Sequence, residues 1–312
     1  MRLAILFPGQ GSQSVGMLSG FAGNTAVSET VERAGEALGE DLAKMIAEGP
    51  AERLNLTVNT QPVMLAASVA FYGALRAAGA PEPCCMAGHS LGEYSALTAA
   101  GALSLEDAVP LVRFRARAMQ EAVPVGAGGM AAIIGLPDGA VAEACREASA
   151  KGAVEPANFN SPGQIVIAGL KAGLEEACRL CKEKGAKRAI PLAVSAPFHS
   201  SLLAPARDRL ESKLAEVPVA IPRYDVIANV DARSHGSPDE IRSALARQAC
   251  SPVQWVRTMN EMKARGVTHM IECGPGRVLT GLARRCVPGI PCYPVNSEDS
   301  LCAALEALSA AA

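Results

Sequence analysis

The pentapeptide Gly88-His89-Ser90-Leu91-Gly92 has the residue types of a serine nucleophile held on a sharp turn. It follows the apolar run 84–87 and precedes a helix-like segment at 93–100, so the pattern predicts a strand, a tight turn and a helix. This context is typical of a G-x-S-x-G nucleophile elbow, in which the glycines relieve crowding and the hydroxyl is exposed at the tip. The following amide would lie at a helix N-terminus, where unpaired N–H groups favour negative charge. We therefore predict a nucleophile beside an oxyanion site; an ordinary serine in a Gly-rich turn is the alternative.

A serine nucleophile needs a general base, and the chain has only four histidines. His89 adjoins Ser90 on an extended segment, so their side chains are expected to point in opposite directions. His269 lies in an apolar run and is interpreted as a core residue, whereas His235 lies in a polar loop and is interpreted as solvated. His199 lies in a short loop between a predicted strand and a predicted helix, and it is the predicted base. No acidic residue is an evident partner for it, and a backbone carbonyl would also fix its tautomer.

The predicted helix 104–122 carries an arginine within its apolar face. The residues three and four positions away from Arg115 are all apolar: Leu111, Val112, Ala118 and Met119. Arg113 and Arg117 are expected on the more polar side of the helix. A guanidinium that faces a core is costly unless it meets an anion. The helix alone leaves two interpretations open, a snorkelling or distantly paired arginine and a grip on a substrate carboxylate.

Strand-like and helix-like segments alternate along the chain, which predicts an α/β fold with a mainly parallel sheet. The predicted strands of this sheet are residues 3–7, 84–87, 225–229 and 269–273. The predicted helices around it are residues 61–78, 104–122, 201–216, 238–249 and 253–265.

The middle of the chain predicts a separate small domain. Strands at 129–135, 153–158, 164–168 and 187–194 and helices at 137–150 and 171–184 follow the order β-α-β-β-α-β, which is the ferredoxin-like pattern. We predict a small ferredoxin-like domain over residues 125–196, inserted into a larger α/β domain formed by residues 1–124 and 197–312. Hinges are predicted at 126–129 and 196–197, and the cleft between the domains is the expected ligand site.

Composition narrows the classes of function. The 312 residues are 49% hydrophobic and 19% charged, with a formal net charge of −2, so we expect no nucleic-acid or membrane partner. The apolar part of the N-terminus is shorter than a signal-peptide core and fits a buried first strand. The ten cysteines lie mostly in apolar settings, and the pair Cys178 and Cys181 shares a helix face with apolar residues. Neither a disulfide framework nor a metal site is predicted, and a cytoplasmic location is expected.

Taken together, these residues resemble the malonyl-CoA:acyl carrier protein transacylases of fatty acid synthesis, over essentially the whole chain. The motifs that carry the resemblance are Phe7 to Gln13, Thr60-Gln61-Pro62, Gly88 to Tyr94, Arg115 with Met119-Gln120, Asn158 to Gln164, Pro197 to Ser200, Asn229-Val230, Gln248 with Pro252 to Trp255, and Glu272 to Gly276.

The resemblance implies a large α/β-hydrolase-like domain with an inserted ferredoxin-like domain. It implies that Ser90 is the nucleophile, that His199 is its base and that Arg115 holds the malonyl carboxylate. It further implies that the backbone amides of Gln10 and Leu91 form the oxyanion hole.

The resemblance also assigns residues around this centre. A backbone carbonyl near Gln248 is expected to orient the histidine. Asn158, Asn160 and Gln61 match positions that line the cleft, and Phe198 matches malonyl-selecting rather than methylmalonyl-selecting members.

The implied partners are malonyl-CoA and acyl carrier protein, with no cofactor, and a monomer is expected. Because acyl carrier proteins are acidic, a basic docking face is expected, either at Lys182, Lys184, Lys187 and Arg188 or at Arg284-Arg285. The alternatives are a polyketide-pathway acyltransferase, a binding module, and a serine esterase or thioesterase that would use Asp239 with His269.

Overall fold

The computed structural model describes residues 1–194 and 196–311, and in them the chain forms two separate β-sheets. In chain order the strands are β1 (Leu3–Phe7), β2 (Cys85–Gly88), β3 (Gly128–Ile134), β4 (Val154–Ser161), β5 (Gln164–Leu170), β6 (Arg188–Pro191), β7 (Asp225–Ile227), β8 (His269–Cys273) and β9 (Cys292–Val295). The α-helices are α1 (Thr25–Leu38), α2 (Leu42–Glu48), α3 (Ala51–Leu54), α4 (Thr57–Ala77), α5 (Gly92–Ala99), α6 (Leu105–Glu121), α7 (Asp138–Ala148), α8 (Lys171–Glu183), α9 (Ala204–Glu216), α10 (Pro238–Gln248), α11 (Trp255–Ala264), α12 (Val278–Cys286) and α13 (Glu298–Ala310).

The larger sheet is parallel, with the strand order β7-β2-β1-β8-β9. All five residues of β1 are buried and apolar, as expected for a central parallel strand that is covered by helices on both faces. The strands predicted at 3–7 and 269–273 are confirmed at those bounds, and the predicted parallel sheet of an α/β fold is confirmed. Its edge strand β9 was not predicted.

The smaller sheet is antiparallel, with the strand order β4-β5-β3-β6, and α7 and α8 are its helices. The predicted element order β-α-β-β-α-β is observed between β3 and β6. A main-chain bridge joins this sheet to the segment before α11, because Val253 N donates to Ala157 O (2.9 Å) and Phe159 N donates to Val253 O (3.0 Å). The helix was predicted to begin at residue 253. It begins at Trp255 instead, because Val253 takes part in this bridge. The strand predicted at 187–194 is also shorter in the structure, where β6 ends at Pro191.

The parallel sheet brings three loops together at one edge. The carboxyl ends of β1, β2 and β7 are adjacent because these strands are neighbours and run in the same direction. The loops that follow them therefore lie side by side, which is the usual place for a ligand in an open parallel sheet.

The turn between β2 and α5 is too crowded for any side chain at its two glycines. A Cβ on Gly88 would lie 1.8 Å from the carbonyl carbon of Gly92, and a Cβ on Gly92 would lie 2.0 Å from Phe7 O. The glycines allow α5 to pass directly over the ends of β1 and β2, so Ser90 lies at the tip of a tight turn.

All ten cysteines are free thiols, and Cys181 is buried in the core of the small sheet. Among the described helices, none has both the length and the apolar character needed to cross a bilayer.

Candidate active site

The Ser90 hydroxyl and the His199 imidazole meet across a separation of 109 residues in the sequence. Ser90 Oγ lies 2.6 Å from His199 Nε2. Both residues have a backbone in the left-handed region, with φ of 54° for Ser90 and 62° for His199. Such angles are strained for residues other than glycine and concentrate at functional sites. The structure therefore places the predicted histidine, His199, and not another one, in contact with the Ser90 hydroxyl.

The tautomer of His199 follows from its second contact. Its Nδ1 lies 2.9 Å from the backbone carbonyl oxygen of Gln248, and a carbonyl only accepts, so Nδ1 carries the proton. Nε2 is then free to accept from the Ser90 hydroxyl. Burial, with the charge of Arg115 as a second cause, lowers the pKa of His199 to about 3. The imidazole is therefore neutral and able to act as a base over the whole physiological pH range.

The side chain of Arg115 enters the same site from α6 and is 1% exposed. Its Nη1 donates to Gln61 Oε1 (2.8 Å), and its Nη2 donates to Gln248 Oε1 (2.7 Å) and to Ser90 Oγ (3.1 Å). The guanidinium also lies over the ring of Tyr94, 5.3 Å from its centroid. All of these direct partners are neutral, so the guanidinium is a buried cation that is poised to receive an anion beside Ser90.

The backbone amides of Gln10 and Leu91 are candidate donors to an oxyanion. Both residues line the cavity in front of Ser90, one after β1 and the other at the start of α5. Within residues 1–194 and 196–311, neither backbone N–H has an acceptor. Unpaired N–H groups at the end of a helix and in an adjacent loop are suited to stabilising a developing negative charge.

These groups line a cavity of about 120 Å³ between the two sheets. Met130, Leu192 and Phe198 form its apolar wall, and Arg115 and His199 are part of its polar end. A second cavity of about 200 Å³ shares Gln10, His89, Asn158 and Leu192 with the first and continues along α12. The two cavities together form an elongated path that ends at the serine.

Gln61 and Gln248 contact Arg115 directly, and Asn158 lines both cavities. Asn160 accepts a hydrogen bond from His89 Nε2 (2.8 Å), and His89 packs on the indole of Trp255. His89 therefore faces away from the serine hydroxyl, as expected from its place in the turn.

Several predictions made from the sequence are wrong in detail. Arg113 is 8% exposed and forms a bidentate pair with Glu40, because α1 and the loop after it cover a side of α6 that was expected to be polar. His235 is not solvated: its side chain is 15% exposed and lies 3.3 Å from Asp231. His269 is half-buried rather than fully buried in the core, and its Nδ1 lies 3.0 Å from Thr268 Oγ1.

The alternative pair Asp239 and His269 does not form. The Asp239 side chain is 96% exposed and pairs with Arg242, and the ring of His269 contacts Thr268. The serine has His199 as its partner instead.

Two buried residues at the site were not predicted as functional. Glu93 and Asn229 appear in the quoted sequence motifs, but nothing in their spacing indicates that they meet. Asn229 Oδ1 accepts from Ser90 N (2.6 Å) and its Nδ2 donates to Gly88 O (2.7 Å), so its side chain holds the turn at two points. For Glu93 the residue type was the available signal, because a charged group inside an apolar helix such as α5 is unusual.

Comparison with known sequences is consistent with this geometry. The profile of the acyl transferase domain matches residues 5–288. The malonyl CoA-acyl carrier protein transacylase of Escherichia coli strain K12 is 50% identical over 306 residues, which cover 98% of this chain and 99% of that protein.

Solved structures agree over the same length. An acyl-carrier-protein S-malonyltransferase from Burkholderia pseudomallei matches with a TM-score of 0.97 and 57% identity, over 98% of this chain and 100% of the other. A malonyl transacylase solved in complex with its type II PKS acyl-carrier protein matches with a TM-score of 0.97 and 46% identity, again over 98% and 100%.

We expect the His199 ring to remain neutral from pH 8 down to pH 5, because its folded pKa is lowered to about 3 from an ordinary value of 6.5. Histidine ¹⁵N chemical shifts would show an unchanging Nδ1–H tautomer over this range. The signal is assigned by its absence in His199→Gln. A midpoint near pH 6.5 for this ring would contradict the buried, neutral imidazole.

Proposed function

Because this chain belongs to the malonyl-CoA:acyl carrier protein transacylases and is an acyltransferase, we propose that Ser90 carries the malonyl group between two thiols. The observation that carries this proposal is the contact of Ser90 Oγ with both His199 Nε2 (2.6 Å) and Arg115 Nη2 (3.1 Å). One group activates the hydroxyl, and the other is placed to bind a carboxylate next to it.

The first half-reaction forms a malonyl-serine ester. Ser90 Oγ attacks the thioester carbonyl carbon of malonyl-CoA while His199 Nε2 takes the hydroxyl proton. The amides of Gln10 and Leu91 donate to the oxyanion, and losing one such donor typically costs about 10²–10³ in rate. The carbon–sulfur bond then breaks, and His199 returns the proton to the departing thiolate of coenzyme A.

The second half-reaction reverses these roles. The phosphopantetheine thiol of acyl carrier protein gives its proton to His199 and attacks the serine ester. The ester oxygen leaves, takes the proton back, and Ser90 is restored. Protein groups perform every step, so we propose that the reaction needs no cofactor or metal. The Gln248 carbonyl keeps His199 in the required tautomer throughout.

Arg115 selects for acyl groups that carry a carboxylate. We propose that the malonyl carboxylate binds the guanidinium of Arg115 in a bidentate manner, because the two groups match in geometry and have opposite charges. The apolar residue Phe198 in the cavity wall limits the space beside the malonyl methylene, in keeping with a preference for malonyl over methylmalonyl.

The second cavity suits the phosphopantetheine arm. Asn158 Oδ1 is buried without a hydrogen-bond donor in the described part of the chain, and Asn158 lines both cavities. An amide N–H of the arm would satisfy this oxygen. Gln61, Asn160 and His89 complete the polar lining of the path.

The two sheets support the proposed division of the chain. We propose that residues 1–124 and 197–312 form an α/β-hydrolase-like domain and that residues 125–196 form an inserted ferredoxin-like domain. The strand order β4-β5-β3-β6 with α7 and α8 supports the second assignment. The site then lies in the cleft between them, since the elbow and Arg115 come from one domain and Met130 and Asn158 from the other.

Of the two basic patches, we propose that Arg284-Arg285 docks acyl carrier protein. Both arginines are exposed in the last turn of α12, the helix whose Leu279 and Leu282 line the second cavity. In the other patch, Lys184 already pairs with Glu143 and Glu147, so its charge is partly neutralised.

We propose that the chain acts in fatty acid synthesis, as a monomer in the cytoplasm. A polyketide pathway is the second candidate, because one similar structure is a malonyl transacylase with a type II PKS carrier protein. Assaying malonyl transfer to fatty acid and polyketide carrier proteins from the source organism would decide between them. A thioesterase is disfavoured, because a buried Arg115 beside the nucleophile has no role in general thioester hydrolysis.

Mixing the protein with malonyl-CoA in the absence of carrier protein should add the mass of one malonyl group to Ser90, as measured by intact-mass spectrometry and peptide mapping. Ser90→Ala should acquire no adduct, and adding carrier protein should discharge the wild type. Steady release of malonate with no adduct would indicate a hydrolase, and no reaction at all would indicate a binding module.

Replacing Arg115 with alanine should lower acylation by malonyl-CoA by about 10²–10³-fold, because the acyl carboxylate loses its buried partner. Acylation by acetyl-CoA, which has no carboxylate, should fall by less than about tenfold. Arg117→Ala, on the exposed side of the same helix, is the matched control and should alter neither rate. Equal losses for the two acyl groups in Arg115→Ala would refute its role in selection.

Reversing both charges at Arg284 and Arg285 to glutamate should raise the KM for acyl carrier protein about tenfold at low salt, with a smaller effect at high salt. Lys182→Glu in the small sheet's helix α8 is the control and should leave that KM unchanged. The opposite pattern would move the docking face to the small domain.

A further inference from the structure

Glu93 is a buried carboxyl group that the proposed mechanism does not use. It lies in the first turn of α5, three residues after Ser90, and is 2% exposed. Its Oε2 accepts two hydrogen bonds, from the backbone N of Asn229 (2.9 Å) and from Gln248 Nε2 (2.8 Å). One oxygen atom of Glu93 therefore joins two residues that come from β7's loop and from the end of α10.

The contact with Gln248 fixes which end of its side-chain amide faces Arg115. Gln248 Nε2 donates to Glu93 and to Ser90 O (2.9 Å), and Gln248 Oε1 accepts from Arg115 Nη2 (2.7 Å). Turning the amide by half a rotation would place its NH₂ group against the guanidinium, which also only donates. The acceptors at Glu93 Oε2 and Ser90 O together keep the Gln248 oxygen directed at Arg115.

The contact with Asn229 acts on the nucleophile turn. The Asn229 side chain bonds to Ser90 N (2.6 Å) and to Gly88 O (2.7 Å), on either side of His89 and directly before the strained Ser90. Glu93 fixes the backbone of Asn229 through the hydrogen bond that Asn229 N donates, and so it fixes the position from which the Asn229 side chain bonds to the turn. A strained conformation persists only when the surrounding structure over-determines it.

We propose that Glu93 is a positioning residue whose single acceptor oxygen aligns Gln248 with Arg115 and Asn229 with the serine turn, and so sharpens the preference for a carboxylated acyl group. This inference rests on the proposed function, and specifically on Arg115 as the site of the acyl carboxylate. Burial raises the pKa of Glu93 to about 7. An acceptor oxygen is present in both protonation states and in glutamine, so the role belongs to geometry rather than to charge.

The test compares Glu93→Leu, which keeps the bulk and removes the acceptor, with Glu93→Gln, which keeps an acceptor oxygen. The readout is the rate of Ser90 acylation from malonyl-CoA and from acetyl-CoA, followed by intact mass. In Glu93→Leu we expect a loss of about 50-fold for malonyl and about fivefold for acetyl, so that the malonyl-to-acetyl ratio falls about tenfold. Glu93→Gln should restore most of both rates. A ratio that stays constant in Glu93→Leu, or a failure of Glu93→Gln to restore it, would overturn the proposal.

Gln248→Met provides a second route, which also applies if Glu93→Leu does not fold. It removes the side-chain amide but keeps the backbone carbonyl that contacts His199. We again expect the malonyl-to-acetyl ratio to fall about tenfold. Adding Glu93→Leu to Gln248→Met should lower the ratio no further, because both changes break the same series of contacts. An unchanged ratio in Gln248→Met would sink the inference. Absence of a malonyl adduct on wild-type Ser90 would instead overturn the proposed function itself.

Discussion

The site depends on one constraint at the turn that carries Ser90. The backbone of Ser90 must stay in the left-handed region while its hydroxyl faces the cavity. The glycines at 88 and 92 remove the side chains that would collide with α5 and with β1. Asn229 bonds to the backbone on both sides of His89, at Gly88 O and Ser90 N, and Gln248 bonds to the carbonyl of Ser90. The strain is maintained because segments more than 130 residues away along the chain are fixed against it.

The same packing explains the electrostatics. Burial disfavours every charge in the site, so it lowers the pKa of His199 and raises that of Glu93. A neutral imidazole is a base that is ready for the serine proton. Arg115 keeps its charge because a guanidinium is protonated throughout the accessible pH range, and it is held by neutral acceptors. The result is a site with one fixed cation, one neutral base and two unpaired amides, which fits an anionic acyl group passing through an oxyanion.

Long-range pairing limits what could be predicted from local patterns. The predicted helix 104–122 is observed as Leu105–Glu121, since its Ser104 cap and its apolar face are local signals. The side of Arg113 was misjudged because Glu40 and α1, which cover it, are distant in sequence and α1 was not predicted. The start of α11 was misplaced for the same reason, because the bridge between Val253 and Ala157 is a tertiary contact.

Sequence alone indicated the type of chemistry: a serine between glycines, a scarce set of histidines, and an arginine at an apolar helical position limit the roles that each can take. Residue type and spacing carry that information because they set local geometry and the cost of burial. The meeting of Ser90 with His199, and of a carbonyl near Gln248 with that imidazole, was expected, but the contacts themselves were decided only by the tertiary structure. The 2.6 Å contact of Ser90 with His199, the Gln248 carbonyl on Nδ1, and the convergence of Glu93, Asn229 and Gln248 all join segments from different strand ends and helices. Hydrogen bonds act over about 3 Å, so such partners are fixed by how the elements pack rather than by their order in the chain.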